Sequence, residues 1–191
     1  MGKSNLIFRY VHGKWNDKNL TTVGVEFMSK EVEFHGEKYK LQIWDTAGEE
    51  LFKSIAANFY KECHAVILCY DVTNRKSFDN LSFWVREIQN NAHRDCIGVV
   101  AGTKIDLAAD RVVSSKEGLD FAGRHGFLFF EISALKNSEE GVEKMFDALV
   151  TKMTGVYADD AKKSLFHQKH LTFSKADPQG GEVTSADCCS Q

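Results

Sequence analysis

Four short segments carry residue types at the spacing that phosphate and base chemistry needs. Gly2-Lys3-Ser4 precedes the apolar Leu6, Ile7, Phe8 and Tyr10 of an expected helix. It matches the end of a G-x-x-x-x-G-K-[ST] loop, in which backbone N–H groups and a helix N-terminus cradle phosphates, the Lys reaches their oxygens and the hydroxyl serves Mg2+. In isolation, three such residues are more often a chance triplet than a phosphate loop. Trp44-Asp45-Thr46-Ala47-Gly48 closes an expected strand, where Asp45 could serve Mg2+ through water and the Gly48 N–H a terminal phosphate. A strand-end Asp is also an ordinary turn former. Gly102-Thr103-Lys104-Ile105-Asp106 and Glu131-Ile132-Ser133-Ala134-Leu135 each follow or close an apolar run. Ligands of doubly wound sheets bind outside the carboxyl ends of the strands, and all four segments fall there in order.

The elements that must position these residues are legible in the apolar pattern. Runs of five to seven apolar residues alternate with amphipathic stretches, which predicts an α/β fold around a mainly parallel sheet. Val25–Phe34 and Lys38–Trp44, joined at His35-Gly36, read as a hairpin. Ala65–Tyr70, Ile97–Gly102 and Phe127–Ile132 read as buried parallel strands. Phe78, Leu81, Trp84, Val85 and Ile88 form one helical stripe, and Val142, Met145, Phe146, Leu149 and Val150 another. Ser114-Ser115-Lys116-Glu117 has the pattern of a capping box opening a further helix. No internal repeat is present.

Composition bounds the function class. The 191 residues carry 24 basic and 27 acidic side chains, a formal net charge of −3, and 43% are hydrophobic. This suits one α/β domain plus a tail, and the interspersed charges give no support to nucleic acid as the partner. No apolar run approaches the roughly 20 residues that span a bilayer. The first nine residues form no secretory signal. Cys63, Cys69, Cys96, Cys188 and Cys189 have neither disulfide-framework nor zinc-ligand spacing and suit a reducing cytosol. The expected division is a domain over 1–156 and a flexible tail over 157–191, whose four Lys against five acidic residues make no polybasic membrane arm.

With these segments in place, the chain resembles the Rab family of small GTPases over essentially all of residues 2–155. Thr22-Val23-Gly24-Val25-Glu26-Phe27 is similar to the Rab switch I segment, Lys40-Leu41-Gln42-Ile43-Trp44 to the interswitch strand, and Leu68-Cys69-Tyr70-Asp71-Val72-Thr73 to the strand after switch II. Leu51-Phe52-Lys53-Ser54-Ile55 and Phe59-Tyr60-Lys61-Glu62-Cys63 are looser matches. The resemblance implies a P-loop small-GTPase fold, with one antiparallel edge strand and helices on both faces of the sheet. It implies GTP/GDP and Mg2+ as cofactors, and GTP hydrolysis to GDP and phosphate. Gly2, Lys3, Ser4 and Asn5 would hold phosphates, with Ser4, Thr22 and Asp45 serving Mg2+. Lys3, Thr22 and Glu49 would form the catalytic set, with Gly48 beside the terminal phosphate. Thr103, Lys104, Asp106, Ser133, Ala134 and Leu135 would surround the base. Asp106 has two acceptor oxygens suited to the guanine N1–H and amino group. Trp15 would stack on the nucleotide or else be a partly exposed loop aromatic.

The resemblance also implies a switch in vesicle trafficking. Its partners would be effectors reading switch I and II, exchange factors, GTPase-activating proteins, an escort protein with its prenyltransferase, and a GDP-dissociation inhibitor. The chain would be a monomer on the cytoplasmic face of intracellular membranes, cycling through the cytosol. Cys188-Cys189 followed by Ser190-Gln191 has the form of a double-geranylgeranylation ending. Met1-Gly2 is not a myristoylation signal, because position six is Leu6.

Departures from the family pattern carry expectations of their own. Glu49 stands where Rabs usually have Gln, and an ionised carboxylate accepts hydrogen bonds without donating any, which predicts slow hydrolysis. Thr103 replaces a usual Asn and Leu135 a usual Lys, both expected to be benign. Only Met1 precedes Gly2, so the family's first strand and the front of its phosphate loop are expected to be missing, leaving two inner strand edges unpaired. The expected alternatives are a truncated form of a longer protein or a nucleotide-poor, effector-binding relative.

Overall fold

In the computed structural model, the described residues are 2–15, 25–46, 60–61, 63–136, 141–157 and 170–175. Apolar alternation and turn chemistry build the first unit after helix α1 (Lys3–His12). Strands β1 (Val25–Phe34) and β2 (Glu37–Thr46) pair antiparallel from Val25 opposite Thr46 to Phe34 opposite Glu37. Their turn places His35 and Gly36 at φ 51° and 77°, the two left-handed positions that match the twist of a tight hairpin.

Strand β3 (Ala65–Asp71) leads through helices α2 (Arg75–Asp79) and α3 (Leu81–Asn91) to β4 (Ile97–Thr103). Helix α4 (Ser115–Arg124), β5 (Leu128–Ile132) and helix α5 (Val142–Tyr157) follow. The single helical stripe expected over 78–88 is divided between α2 and α3 at Asn80. Asn74 caps α2 by accepting from the Ser77 N–H at 3.2 Å. The Ser114–Glu117 capping box forms as the pattern requires, each side chain meeting the other residue's backbone N–H.

Every residue of β3 and β4 is buried, and successive side chains feed two separate cores, as the period of a strand dictates. Ala65, Ile67 and Cys69 join α1 and α5 on one face, where Tyr10 stacks on Phe146 with centroids 3.7 Å apart. Val66, Leu68 and Tyr70 join Phe78, Trp84, Val85 and Phe121 on the other. Each large side chain so buried contributes roughly 1.5–3 kcal/mol. Helices on both faces of a mainly parallel sheet with one antiparallel edge strand are the architecture the sequence predicts.

One strand of the sheet comes from the tail. Within the stretch expected to be flexible, His170–Lys175 form strand β6, and the sheet runs β1-β2-β6-β3-β4-β5. Strand β6 lies parallel to both neighbours, His170–Phe173 beside Lys40–Ile43 and Phe173–Lys175 beside Ala65–Ile67. The slot expected to stand open is therefore filled. The physical reason is the cost of two inner edges of unpaired N–H and C=O groups, about 1–3 kcal/mol for each buried group. Any segment that arrives in the right direction and can extend removes that cost. The remainder of the tail, including Cys188 and Cys189, lies outside the described residues.

Candidate functional site

Because β2, β6, β3, β4 and β5 all run the same way, their carboxyl ends share one edge of the sheet. Asp71, Thr103 and Ile132 stand side by side in the register. The chain beyond each strand end must emerge there, and polar residues cluster on it.

Asp71 is the anchor of this edge. Its carboxylate is buried and accepts from the Thr73 N–H at 2.9 Å and the Thr73 hydroxyl at 2.7 Å through Oδ1, while the Lys104 ammonium lies 2.7 Å from Oδ2. Burial disfavours its charge, but the Lys104 ammonium and the two Thr73 bonds outweigh burial and hold the carboxyl below the usual carboxylate range. Lys104 itself has φ 64°. A long side chain in this left-handed region is strained and needs its surroundings to hold it. The Asp71 pair and the Leu107 N–H bond to the Lys104 carbonyl at 3.0 Å supply that hold.

Asp106, two residues on, accepts the Ser133 hydroxyl through Oδ1, and the Lys136 N–H donates to the Ser133 oxygen at 3.0 Å. Ser133 is thus a relay that ties the loop after β5 to the carboxylate after β4. Among the described residues no other hydrogen bond reaches the Asp106 carboxylate, so its second oxygen is open to a ligand carrying paired N–H donors. Ala134 follows, half-buried, and Leu135 is exposed. Thr103 is turned inward, its hydroxyl donating to the Tyr70 carbonyl at 2.8 Å, so it laces β4 to β3.

Asp45 is fully buried at the end of β2 on the same sheet edge. Gly2, at φ 75°, is the N-cap of α1, which places Lys3, Ser4 and Asn5 in the first helical turn. Lys3 is buried, whereas Ser4 and Asn5 are half-buried. That helix packs against the hairpin and α5, and the Lys30 ammonium donates to the Tyr10 carbonyl at 2.6 Å. Trp15 is half-buried just beyond the Gly13 cap of α1. Thr22, Gly48 and Glu49 lie outside the described residues. The structure thus brings Lys104, Asp106 and Ser133 together, and adds Asp71 and Thr73, which sequence reasoning left as part of a strand. The available signal was a polar Asp and Thr closing an apolar run, the same signal that marked Asp45.

The Ras family model matches residues 1–155. The chain is 37% identical over 192 residues to Ras-related protein RABC1 of Arabidopsis thaliana, covering 100% of this chain and 89% of the relative. It is 41% identical over 146 residues to Ras-related protein Rab-10 of Diplobatis ommata, covering 76% and 72%. Against Rab-10 of Caenorhabditis elegans the identity is 35% over 191 residues, covering 99% and 90%. The chain belongs to the Rab family of Ras-related small GTPases. Members of this family bind guanine nucleotide, so the expected Ras-like α/β fold and ligand class both stand.

Proposed function

We propose that this Rab-family chain is a GTP/GDP switch of vesicle trafficking whose intrinsic hydrolysis is slow. The observation that carries the reading is the carboxylate at Asp106, pinned on one oxygen by the Ser133 hydroxyl beside a Lys104 pinned by Asp71. A base-reading carboxylate must be held before the ligand arrives, because a free rotor loses affinity to ordering. Here Asp106 would accept from the guanine N1–H and amino group, the aliphatic stem of Lys104 would lie along the base, and the Ala134 N–H would donate to the guanine carbonyl. Adenine offers no such donor pair to Asp106, which sets the specificity.

On the phosphate side, Gly2, Lys3, Ser4 and Asn5 stand at the start of α1, where the N–H groups and dipole favour anions. The Ser4 hydroxyl and the Asp45 carboxylate are hard oxygen donors that fit Mg2+, with Thr22 as the third group. Bound there, Mg2+ supplies neutralisation of phosphate charge. Lys3 would add its own positive charge, and Glu49 could accept a hydrogen bond from the attacking water but could not donate one to the phosphoryl group. Effector binding is supported by Phe27, which is 48% exposed and leans on Trp44 with centroids 5.1 Å apart, an aromatic pair on the outer hairpin. Exchange factors, GTPase-activating proteins, an escort protein and a GDP-dissociation inhibitor complete the partner set, acting on a monomer. Geranylgeranyl groups on Cys188 and Cys189 hold the chain on the cytoplasmic face of intracellular membranes. Among the described residues no helix is long and apolar enough to cross a membrane.

The test is the nucleotide content of the purified protein. About one equivalent of GDP or GTP released on denaturation is the expected result, and an empty yet folded protein that also fails to take up added GDP would overturn it. Glu49 favours a second reading, a guanine-nucleotide-bound protein that presents its effector surface without hydrolysing. Full nucleotide occupancy with no phosphate release over many hours would select it.

A further inference from the structure

Two neighbouring parallel strands, β3 and β4, begin next to cysteines. Cys63 directly precedes the residue that leads into β3, and Cys96 directly precedes β4. The two strands are neighbours, and the Ile97 N–H donates to the His64 carbonyl at 3.0 Å, which draws their starts together. The sulfurs are 3.6 Å apart. They are 33 positions apart in sequence, so only the parallel pairing of β3 with β4 makes them neighbours. Cys63 is 2% exposed and also donates to the Tyr60 carbonyl at 3.2 Å, whereas Cys96 is half-buried and open to small solutes. Cys69 belongs to the core on the opposite face of the sheet, which removes it as a competitor.

We propose that Cys63 and Cys96 form an oxidant-sensitive pair that a hydroperoxide converts to a disulfide. Cys96, the accessible thiol, attacks one peroxide oxygen as its thiolate, breaking the O–O bond and releasing water, and becomes a sulfenic acid. Cys63 then attacks the Cys96 sulfur, the S–O bond breaks, and the departing hydroxide leaves as water with the Cys63 proton. Two thiols and one hydrogen peroxide give one disulfide and two waters. The order is set by access and by acidity, since the hydrogen bond with Cys96 and burial together push the Cys63 thiol up, leaving it the resolving rather than the attacking sulfur. Closing from 3.6 Å to a bonded separation of about 2.05 Å asks for a shift of order 1.5 Å, which a small rotation of the partly exposed Cys96 supplies. The bond fastens Tyr60–Cys63 to the loop before β4, fixing the chain where it enters the sheet.

The experiment uses the full-length reduced protein treated with stoichiometric hydrogen peroxide. Expected are a mass loss of about 2 Da, two fewer titratable thiols under denaturing conditions, and a non-reduced peptide linking Cys63 to Cys96. Thermal unfolding should move upward by roughly 5–10 °C, and all four changes should reverse with a dithiol reductant. In Cys63→Ser, dimedone should label Cys96 because no resolving thiol is at hand; Cys63→Ala serves if the buried hydroxyl prevents folding. The proposal is overturned if Cys96 in the wild-type chain is labelled or over-oxidised as fast as in these variants. It is equally overturned if Cys63 is found linked to another cysteine, or if both thiols stay reduced at peroxide levels that oxidise glutathione. None of these readouts depends on nucleotide binding, so the proposed switch and this site fail separately.

Discussion

At the scale of single residues, the site depends on groups held in place by partners from other loops. Asp106 accepts from Ser133 and, in the proposed function, would accept from the base as well, so Asp106→Asn would replace an acceptor by an amide that presents N–H to N–H. Leaving such a buried donor unpaired costs about 2–3 kcal/mol, and GDP affinity measured by displacement of a fluorescent analogue should fall by roughly 30- to 150-fold. Unchanged affinity would remove Asp106 from the base site. Glu49 tests the other end of the ligand. On the proposed role, Glu49→Gln would restore a donor toward the transferring phosphoryl group, and single-turnover GTP hydrolysis is expected to rise by about 100-fold, the lower end of the range for one well-placed donor. A rate that does not move would mean that another group limits the reaction. Tyr70 shows how small residues are fixed by what lies over them: its phenol ring covers Gly102 and Gly118, and a Cβ on Gly102 would stand 2.8 Å from the Tyr70 oxygen.

At the scale of elements, helix α4 is held by its first turn. The Ser114 hydroxyl accepts from the Glu117 N–H, and Glu117 accepts from the Ser114 N–H at 2.9 Å and from Arg75 at 2.6 Å. Ser114→Ala should lower unfolding free energy by about 1 kcal/mol, read from urea titration at neutral pH. The bonds from Ser114 and the Arg75 guanidinium bring the Glu117 carboxyl down to about 2. A depressed carboxylate stabilises the fold above its ordinary value near 4.5, and that contribution drains away as pH falls from there toward 2. The penalty of Ser114→Ala should therefore shrink when the titration is repeated at pH 2.5, and a penalty that grows in acid would contradict the assignment. This cap was legible in the sequence because a capping box needs only residues three apart. Likewise the hairpin and the buried strands over 65–70 and 97–102 are local patterns and lie where the spacing puts them, whereas the third strand expected to be buried, Leu128–Ile132, is half-buried up to Ile132 and the 78–88 stripe is split at Asn80. The Asp71–Lys104 pair was not legible, since its members meet only through the register of β3 on β4. Strand β6 was missed for a different reason. His170-Leu171-Thr172-Phe173-Ser174-Lys175 alternates polar with apolar residues, a pattern of half-exposed edge strands, whereas an inner parallel strand is expected to be apolar throughout.

At the scale of the whole molecule, β6 joins two blocks that share no other described strand pairing: the hairpin on one side and β3-β4-β5 on the other. Proline cannot donate to a ladder and is not tolerated in an inner strand. Leu171→Pro should speed amide exchange across Leu41–Ile43 and Ala65–Ile67 by roughly 30-fold, the equivalent of about 2 kcal/mol, while the β4–β5 ladder keeps its protection. Equal exchange in the two proteins would show that the sheet does not rely on this segment. Under the proposed lipid attachment, the same strand would set the length of the leash to the membrane. Counted from Tyr157, Cys188 is 31 positions away, a span of up to about 105 Å; counted from Lys175 it is 13 positions away, a span of up to about 45 Å. With β6 in the sheet, lipid on Cys188 and Cys189, as proposed above, would keep the domain within a shallow layer above the bilayer. The proposed effectors and regulators would then have to reach down to that layer, and release of β6 would more than double its depth.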